Sequence, residues 1–499
     1  MPTKGRAAEN ARDRKPGQRR REFLKGAAKY GAAAVAGGAI VKGAEFLGHG
    51  VGVKSKGFSR ARPIVTDSVL PKSVDVAIIG GGFIGTATAL ALAERGVSVA
   101  LFEKGVIAGE SSGRSGGLIE AMFADPAKLE ITELSKQRWR DLQRLTGEDV
   151  GFVQRGSSML FAEKDGMEFA EQWLSMVKGM PNGGARMLSA AEIAQRAAGA
   201  REKFIGGLTT EQDGSAEPAL AAPAMALGAR KLGAKIHQFC AVRGIDRAGG
   251  RVAGVVTERG YVKCSSVLLA GGVWSQTMAR DLGLDLRTLQ CFAKAASLLP
   301  FDGPDFGTVS LLGNHEVGWR KQSDGGYIVW EFKGMAPLLP VALQHPIEVY
   351  PAFAANAAAL SPRFNPSTFW RWVPSLKPVP LDRPGIFEET RIYEPELPVD
   401  EIDEGIRHLQ ETVPMFERGA VRERWSGAMQ MAMDNMPIIS PITDVPGLFV
   451  GTGFYYGLTM GPGAGVVLAD MIMGNKPPIN VHNFRYSRFT DGSPFQYYM

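Results

Sequence analysis

The sequence predicts an α/β protein, and three observations on consecutive segments support this prediction. Residues 74–79 (VDVAII) form a short β-branched apolar run, which is typical of a buried parallel strand. The glycine-rich segment 80–85 (GGGFIG) follows at once, and residues 86–95 have the apolar spacing of a helix. Residues 97–102 (VSVALF) predict a second strand, which completes a βαβ unit. Because 499 residues exceed the usual size of one core, we expect a second domain.

The glycine-rich segment has the residue spacing of a dinucleotide site. Gly80 permits the tight turn, Gly82 lets the backbone approach a pyrophosphate, and Gly85 lets the helix pack close to the strand. The helix N-terminus presents N–H groups and the positive end of its dipole to the phosphates. Glu103 ends the second strand, 18 residues after Gly85, where its carboxylate can accept hydrogen bonds from ribose hydroxyls. The motif alone does not choose between FAD and NAD.

The net charge of +6 comes from the first 25 residues and not from the body of the chain. That segment holds nine of the 57 basic residues and three of the 51 acidic ones, so the remainder carries 48 of each. A neutral body gives no electrostatic indication of a nucleic-acid partner, and we predict none. The cysteines and histidines show no metal-ligand spacing, so we predict no metal and interpret Cys240, Cys264 and Cys291 as buried free thiols.

Residues 1–42 resemble a twin-arginine export signal. Arg20 and Arg21 stand in the motif RREFLK, and the mildly apolar stretch 26–41 follows. A basic tail with an Ala/Gly-rich linker is the alternative interpretation. The signal predicts an exported, periplasmic protein, in which residues 43–72 are a linker. The apolar stretch is shorter than the roughly 20 residues that span a bilayer, so anchoring to the inner membrane and cleavage both stay open.

Three further segments are similar to the D-amino-acid-oxidase-like flavoproteins. Residues 111–117 (SSGRSGG) resemble the family's serine/glycine loop, and residues 267–275 resemble its strand-to-loop return to the cofactor. Residues 451–465 resemble its terminal glycine-rich turn, which opens a final helix predicted over residues 464–473. The N-terminus of that helix would face the flavin C2 carbonyl, where negative charge builds on reduction. An NAD enzyme has no use for this element, so the resemblance implies FAD.

The resemblance also implies which residues bind FAD. These are Gly80, Gly82, Phe83, Ile84, Gly85, Glu103, Lys104, Ser111, Ser112, Arg114, Ser115, Gly116, Gly117, Val242, Gly271, Gly272, Gly453, Tyr456, Gly457, Leu458 and Thr459.

From about residue 64 to residue 484, the chain resembles the membrane-bound bacterial L-amino-acid deaminases. The matching segments are 231–245, 268–286, 423–427 and 434–439. The resemblance implies a Rossmann-like FAD-binding domain built from discontinuous segments, and an α+β substrate domain with an antiparallel sheet and an inserted module. The implied boundaries are 73–150, 211–286 and 421–484 for the FAD-binding domain, 151–210 and 287–420 for the substrate domain, 335–395 for the insertion and 485–499 for a C-terminal tail.

In that family the amino acid is oxidised to an imine, water releases the keto acid and ammonia, and electrons pass to the respiratory chain. A neutral amine can release hydride directly to flavin N5, so positioning and desolvation supply most of the catalysis. We therefore assign no catalytic side chain. The resemblance implies an amino-acid or amine substrate and an electron acceptor in the membrane or the respiratory chain.

The chain departs from the deaminases at the substrate. Their carboxylate-binding arginine falls on Phe332, which cannot form a bidentate fork. Their glutamine near the flavin falls on Ala295 or Ala296, and their tryptophan at the ring edge falls on Tyr456. A carboxylate could instead meet Lys294 or Arg320, or the substrate could be an amine without a carboxylate. The predicted substrate-pocket residues are Phe332, Lys294, Glu331, Tyr455, Tyr456 and Arg320, with Glu331 as a ligand for an ammonium group.

Two alternatives to an amino-acid deaminase stay open. One is a secondary-amine or D-amino-acid dehydrogenase of the same fold, and the other is a non-catalytic flavin-binding assembly protein. The aromatic run Phe369-Trp370-Arg371-Trp372 in the insertion has two interpretations as well. It is either a contact for a membrane or quinone partner or the small core of an inserted subdomain.

Overall fold

The structure is a computed structural model and describes residues 60–122, 124–331, 333–344, 346–355 and 360–497. The predicted export signal, the first part of the predicted linker and Phe332 lie outside the described residues. Within the described part of the chain, no helix combines the length and the apolar character needed to cross a membrane.

The strands follow one another along the chain in this order: β1 Val76–Ile79, β2 Val99–Phe102, β3 Leu118–Ile119, β4 Ser157–Phe161, β5 Ala185–Met187, β6 Gly206–Thr210, β7 Gly214–Ser215, β8 Lys235–His237, β9 Val242–Ala248, β10 Arg251–Thr257, β11 Gly260–Lys263, β12 Ser266–Leu269, β13 Thr288–Leu298, β14 Thr308–Leu312, β15 Val317–Lys321, β16 Tyr327–Glu331, β17 Gly334–Pro337, β18 Leu360–Arg363, β19 Val421–Ala432, β20 Ile438–Pro441 and β21 Leu448–Thr452.

The helices are α1 Phe83–Ala93, α2 Pro126–Thr146, α3 Lys164–Met176, α4 Ala190–Arg196, α5 Pro218–Lys231, α6 Ser275–Arg280, α7 Pro346–Ala355, α8 Pro366–Trp372, α9 Ile386–Glu389, α10 Val399–Thr412 and α11 Gly457–Ile472.

The predicted βαβ unit is the centre of a six-stranded sheet with the order β20-β21-β12-β1-β2-β8. All neighbours in this sheet pair in parallel except β20 and β21. Every residue of α1 is buried, because helices cover the sheet on this face. The strands come from chain segments far apart in sequence, as the resemblance to the flavoproteins implied. The mixed α/β fold is confirmed, and this sheet is built from discontinuous segments of the chain.

The second large sheet has ten strands in the described chain, in the order β18-β17-β13-β16-β15-β14-β4-β6-β5, with β19 on β13. Most pairs are antiparallel, and β14–β4 and β17–β18 are the parallel ones. β19 pairs with β13 from Thr288 to Leu298, so the chain stays in this sheet until Ala432. The FAD-binding segment predicted to begin at 421 thus joins the six-stranded sheet only at β20. The 12 residues of β19 pair with β13 of the larger sheet before the chain reaches β20.

The last helix begins earlier than the sequence suggested. α11 starts at Gly457 and not near residue 464, and it includes Pro462. Its glycines form close helix–helix contacts instead of a turn. A Cβ on Gly463 would lie 2.7 Å from the carbonyl oxygen of Ile131 in α2, and one on Gly465 would lie 2.6 Å from the backbone of Ala87 in α1. Tertiary packing here overrides the low helix propensity of glycine.

The end of the predicted linker is part of the folded body. Asp67 accepts hydrogen bonds from the backbone N–H of Ile236 at 2.9 Å and from the guanidinium of Arg230 at 3.2 Å. The Arg60 guanidinium lies 3.5 Å from the ring centroid of Trp425. Residues 60–72 therefore pack on the body without forming a helix or strand of their own, which is why no periodic pattern marks them.

Candidate FAD and substrate site

A cavity of about 760 Å³ lies between the two large sheets. Its floor at one end consists of the segments that follow β1, β12 and β21, where the carboxyl ends of parallel strands meet. Its other walls come from β13, β16 and β19 of the larger sheet. The volume lies within the range of a cofactor or ligand pocket.

The glycine-rich turn forms one end of this cavity. Gly80 has φ +109°, and a Cβ there would lie 2.4 Å from the carbonyl oxygen of Ala270, so no other residue fits without a shift. A Cβ on Gly85 would lie 2.0 Å from the carbonyl oxygen of Gly80. Gly82 is the N-cap of α1 and supplies no capping side chain, while the N–H of Phe83 donates to Ser112 Oγ at 3.1 Å. The turn therefore offers a helix N-terminus without a capping side chain from its own N-cap residue to an anionic ligand.

Glu103 directly follows β2 and lies beside this turn. One carboxylate oxygen accepts a hydrogen bond from the N–H of Gly81 at 2.8 Å, and the other accepts one from Gly105 at 2.7 Å. Burial raises the pKa of this carboxyl, although Lys104 and the two N–H groups act in the opposite direction. Each oxygen keeps a second lone pair, so the carboxylate is oriented and can still receive ribose hydroxyls.

Two predicted cations of the site are tied to carboxylates. Lys104 Nζ lies 2.6 Å from Glu110, and Arg114 forms a two-pronged pair with Glu394 at 2.5 and 2.6 Å. Arg114 also donates to the carbonyl of Ser426 at 3.2 Å. These pairs connect the serine/glycine loop to β19 and to the end of the insertion, and they hold the loop against the cavity.

The N-terminus of α11 also lines the cavity, shortly after the end of β21. Tyr456 is its N-cap and makes no side-chain cap bond, and Thr459 Oγ1 donates to the carbonyl of Leu118 at 3.1 Å. Tyr455 and Tyr456 line the cavity, with ring centroids 4.8 Å apart. A second helix terminus with unpaired N–H groups therefore faces the same space as α1.

Most of the predicted cofactor residues line this cavity. Two of them do not. Gly85 lies beneath the turn, and Gly117, with φ +88°, packs against Arg320, whose Nε would be 2.5 Å from a Cβ there. The remaining ones are Gly80, Gly82, Phe83, Ile84, Glu103, Lys104, Ser111, Ser112, Arg114, Ser115, Gly116, Val242, Gly271, Gly272, Gly453, Tyr456, Gly457, Leu458 and Thr459.

The predicted substrate residues divide into two groups. Lys294, Glu331, Tyr455 and Tyr456 line the cavity, whereas Arg320 does not.

Arg320 is a correction to the sequence-based expectation. Its guanidinium is buried on Glu217 at 3.0 Å and donates to the carbonyl of Gly116 at 2.6 Å. A substrate carboxylate could reach it only by displacing Glu217, so Arg320 supports the serine/glycine loop instead. Glu217 lies 103 positions from Arg320 in the sequence, so no local sequence pattern indicates this pair.

Lys294 faces the cavity but already has two acidic partners. Its Nζ lies 2.8 Å from Glu401 and 3.3 Å from Glu331. Ala295 lines the cavity beside it, while Ala296 is buried in the core on the other face of the sheet. Of the two candidate positions for the family's glutamine, Ala295 therefore lies at this cavity and Ala296 does not.

Glu120 is a cavity residue that the sequence reasoning missed. It follows β3, it lines the cavity, and its Oε1 is buried without a hydrogen-bond partner. Burial, with a smaller contribution from Asp213, raises the pKa of its carboxyl to about 8. A usable signal was present in the sequence, because this glutamate interrupts an apolar run directly after the serine/glycine loop.

Together these features define a dinucleotide-binding redox protein. Two bare helix N-termini, the close-packed glycines and the oriented Glu103 suit a ligand with a pyrophosphate, a ribose and an electron-accepting ring, as in FAD. The profile of the family described as FAD dependent oxidoreductase (DAO) matches residues 75–471. The chain belongs to this family, and it is an FAD-dependent oxidoreductase.

Similar proteins lie within the same family. An L-amino acid deaminase from Proteus myxofaciens, solved with anthranilate, is 31% identical, with a TM-score of 0.82 over 87% of this chain and 97% of that one. The sarcosine oxidase subunit beta of Rhizobium meliloti is 28% identical over 430 residues, which are 84% of this chain and 89% of the relative. Human mitochondrial sarcosine dehydrogenase is 24% identical over 89% of this chain, which spans only 43% of that longer protein.

Proposed function

We propose that this enzyme oxidises the CH–NH bond of an amino acid or a related amine. The observation that carries the proposal is the single cavity that runs from the pyrophosphate cradle at Gly80 to the pocket at α11. Bound FAD supplies a two-electron acceptor for hydride. Water hydrolyses the resulting imine to a carbonyl compound and ammonia, or to a carbonyl compound and an amine where the nitrogen carries a second carbon. Relatives whose names refer to amino acids and sarcosine support the same bond as the target.

The chain contributes binding, orientation and exclusion of water. The glycine-rich turn and Glu103 would hold the pyrophosphate and ribose, and the N-terminus of α11 would stabilise negative charge on the reduced ring. Tyr455 and Tyr456 flank the pocket where a substrate would lie. Tyr455 is partly buried and Tyr456 is half exposed, so these rings would shield a bound amine from water in part.

The test is anaerobic reduction of the purified, FAD-loaded enzyme. L-amino acids, D-amino acids and N-methylated amines are added in turn, and the flavin band near ~450 nm is followed. Each amine has a matched control in which oxygen replaces nitrogen, such as lactate for alanine and methoxyacetate for sarcosine. We expect bleaching by an amine and not by its oxygen analogue. A flavin that stays oxidised with every amine, or that hydroxy acids reduce equally well, would refute the proposal.

A secondary amine without a carboxylate is the second candidate substrate, and the charges at the pocket favour the lack of a carboxylate. Lys294 is bound to two carboxylates and Arg320 is bound to Glu217, so neither is ready to hold a substrate carboxylate. This alternative would be selected if N-methylated amines reduced the flavin faster than ordinary L-amino acids do.

We also propose that the enzyme is exported by the twin-arginine route and passes its electrons to an acceptor in the membrane. Basic residues around Arg20 and Arg21 support the first proposal. Exposed apolar side chains of the insertion, including Phe364 and Trp370, support the second. Trp372 is buried and stacks on Trp274 at 4.7 Å, so this aromatic run serves partly as core. We expect a soluble ubiquinone analogue to reoxidise the reduced flavin rapidly and oxygen to reoxidise it slowly.

A further inference from the structure

Glu120 places a carboxyl group at the cavity wall next to the N-terminus of α11. Its backbone N–H donates to Thr459 Oγ1 at 3.3 Å, in the first turn of that helix. Its Oε1 is buried and has no hydrogen-bond partner. A buried polar atom without a partner is costly, so such an atom in a cavity wall indicates a missing ligand group.

The charges around Glu120 are already neutralised by other groups. Asp213 accepts hydrogen bonds from the N–H of Ala121 at 3.1 Å and from Ser157 Oγ at 2.6 Å, and it pairs with Lys136 at 2.9 Å. Lys136 also contacts Glu133. Tyr456 is the remaining titratable group that interacts with Glu120. Glu120 therefore faces a like charge in Asp213, and the lysine nearby is already shared between two acids.

The cations along the cavity wall do not supply a partner either. Four of them are each bound to a carboxylate: Lys104 to Glu110, Arg114 to Glu394, Lys294 to Glu401 and Arg391 to Glu258. Lys128 also lines the cavity, and the acids that interact with it are Asp125 and Asp434. Glu120 Oε1 lacks a hydrogen-bond donor, and the ammonium group of a substrate can bring one.

We propose that Glu120 recognises the amine nitrogen of the substrate, binding its ammonium form and accepting one proton from it. This inference rests on the proposed function and names the group of the substrate that the pocket recognises. In the step, one N–H bond breaks and one O–H bond forms on the carboxylate. No electrons are gained or lost, and the nitrogen lone pair is set free. The neutral amine is the form that can give up hydride from the neighbouring carbon.

The acidity of Glu120 suits this role. Burial raises the pKa of its carboxyl to about 8, so in the cavity without ligand the group holds a proton at neutral pH. A bound ammonium stabilises the carboxylate and lowers that pKa, so Glu120 releases its own proton to water as the ammonium binds. The carboxylate formed in this way can then accept one proton from the ammonium group. The substrate class is therefore a small primary or secondary amine whose nitrogen is the recognised group.

The experiment measures binding without turnover, on the FAD-loaded enzyme. The probe is tert-butylammonium, which has no hydrogen on the carbon that bears nitrogen and so cannot be oxidised. Pivalate, of the same shape and opposite charge, is the matched probe. Calorimetric titration gives the Kd of each. We expect the cation to bind at least about tenfold more tightly than the anion, with an affinity that rises as the pH is raised to about 8 and beyond.

Variants assign the effect to one carboxyl group. Glu120→Gln keeps the shape and should weaken binding of tert-butylammonium about tenfold or more and abolish the pH dependence. Glu316→Gln removes another carboxylate that lines the cavity. It should leave the affinity for tert-butylammonium and its pH dependence unchanged. Glu120→Asp should retain the pH dependence with weaker binding. Flavin content and melting temperature verify that each variant is folded.

Several outcomes would overturn the inference. If the native enzyme bound pivalate more tightly than tert-butylammonium, the inference would be overturned. This result needs no variant, so it would hold even if Glu120→Gln lost its flavin. Equal affinity of native enzyme and Glu120→Gln for the cation would overturn the inference too. If amines still reduced the flavin in that case, the proposed function would stand and Glu120 would have no part in recognising nitrogen.

Discussion

At the scale of single residues, partners distant in sequence decide which charges can meet a substrate. Arg320 and Glu120 both lie near the serine/glycine loop, and each directly follows an apolar residue in the sequence. The fold brings Glu217 to Arg320 at 3.0 Å, while Glu120 Oε1 receives no hydrogen bond. A charged side chain with a bidentate partner stabilises the fold, whereas a buried charged side chain without such a partner can interact with a substrate.

The first prediction at this scale concerns Gly82. A Cβ at this position would lie 2.9 Å from Ser112 Oγ, and a valine would fill the space that the pyrophosphate needs. Gly82→Val should purify with little or no flavin, as measured by the ratio of absorbance near ~450 nm to that of the protein. Gly96→Ala is the control: its φ of +75° makes the change strain the backbone, but its Cβ would meet nothing within 4 Å and the residue does not line the cavity. A yellow Gly82→Val enzyme with full flavin content would show that this loop does not bind FAD.

The second prediction concerns the loss of folding stability that results from burying the carboxyl of Glu120. Its pKa is raised from 4.5 to about 8 by folding, so the unfolded chain releases this proton at a lower pH than the folded chain does. The free energy of unfolding therefore falls as the pH rises from about 4.5 to about 8, and it levels off above. Glu120→Gln should melt at a higher temperature than native enzyme at pH 8, and the gap should shrink as the pH falls. A gap that is independent of pH would contradict the raised pKa.

At the scale of elements, the terminal glycine-rich segment shows how packing changes the meaning of a motif. The glycines from 457 to 465 suggested a turn, because glycine is a poor helix former. In the structure they belong to α11, where the lack of a Cβ lets it contact α1 and α2 backbone to backbone. The helix starts early enough for its N-terminus to reach the cavity at Tyr456.

Gly465→Ala tests this account of α11. On an isolated helix the change would gain about 1 kcal/mol. Here the new Cβ would lie 2.6 Å from the backbone of Ala87, and backbone cannot rotate away, so we expect a net loss of about 1–3 kcal/mol. Thermal melting at a fixed FAD concentration measures it. Val466→Ala, at a half-buried position of the same helix, should cost less. A more stable Gly465→Ala enzyme would mean that the helices are not in close contact there.

At the scale of the whole molecule, function requires two sheets that the chain builds in alternation. The six-stranded sheet supplies the cofactor cradle, the larger sheet supplies the opposite wall, and the cavity lies between them. The chain crosses between the sheets several times, so residues that line one cavity are up to about 380 positions apart, as Gly80 and Met460 are.

The prediction at this scale concerns the destination of the enzyme. Replacing Arg20 and Arg21 with lysine preserves the charge and removes the pair that the twin-arginine machinery recognises. We expect the variant to stay in the cytoplasm, as measured by cell fractionation and immunoblotting. Arg12→Lys with Arg14→Lys changes the same number of arginines outside the pair and should be exported normally. Normal export of the first variant would show that residues 1–42 are not a twin-arginine signal.

The sequence by itself determined the βαβ unit, the glycines of the cofactor turn, Glu103 and the family to which the chain belongs. These features are local, because a strand, a turn and a helix in direct succession set their own geometry within about thirty residues. The start of α11, the membership of β19 in the larger sheet, the burial of Arg320 on Glu217 and the unpartnered Glu120 were decided only by the tertiary structure. Each of these depends on a contact between residues about a hundred or more positions apart, and hydrogen bonds and packing at such separations leave no periodic or local pattern in a single sequence.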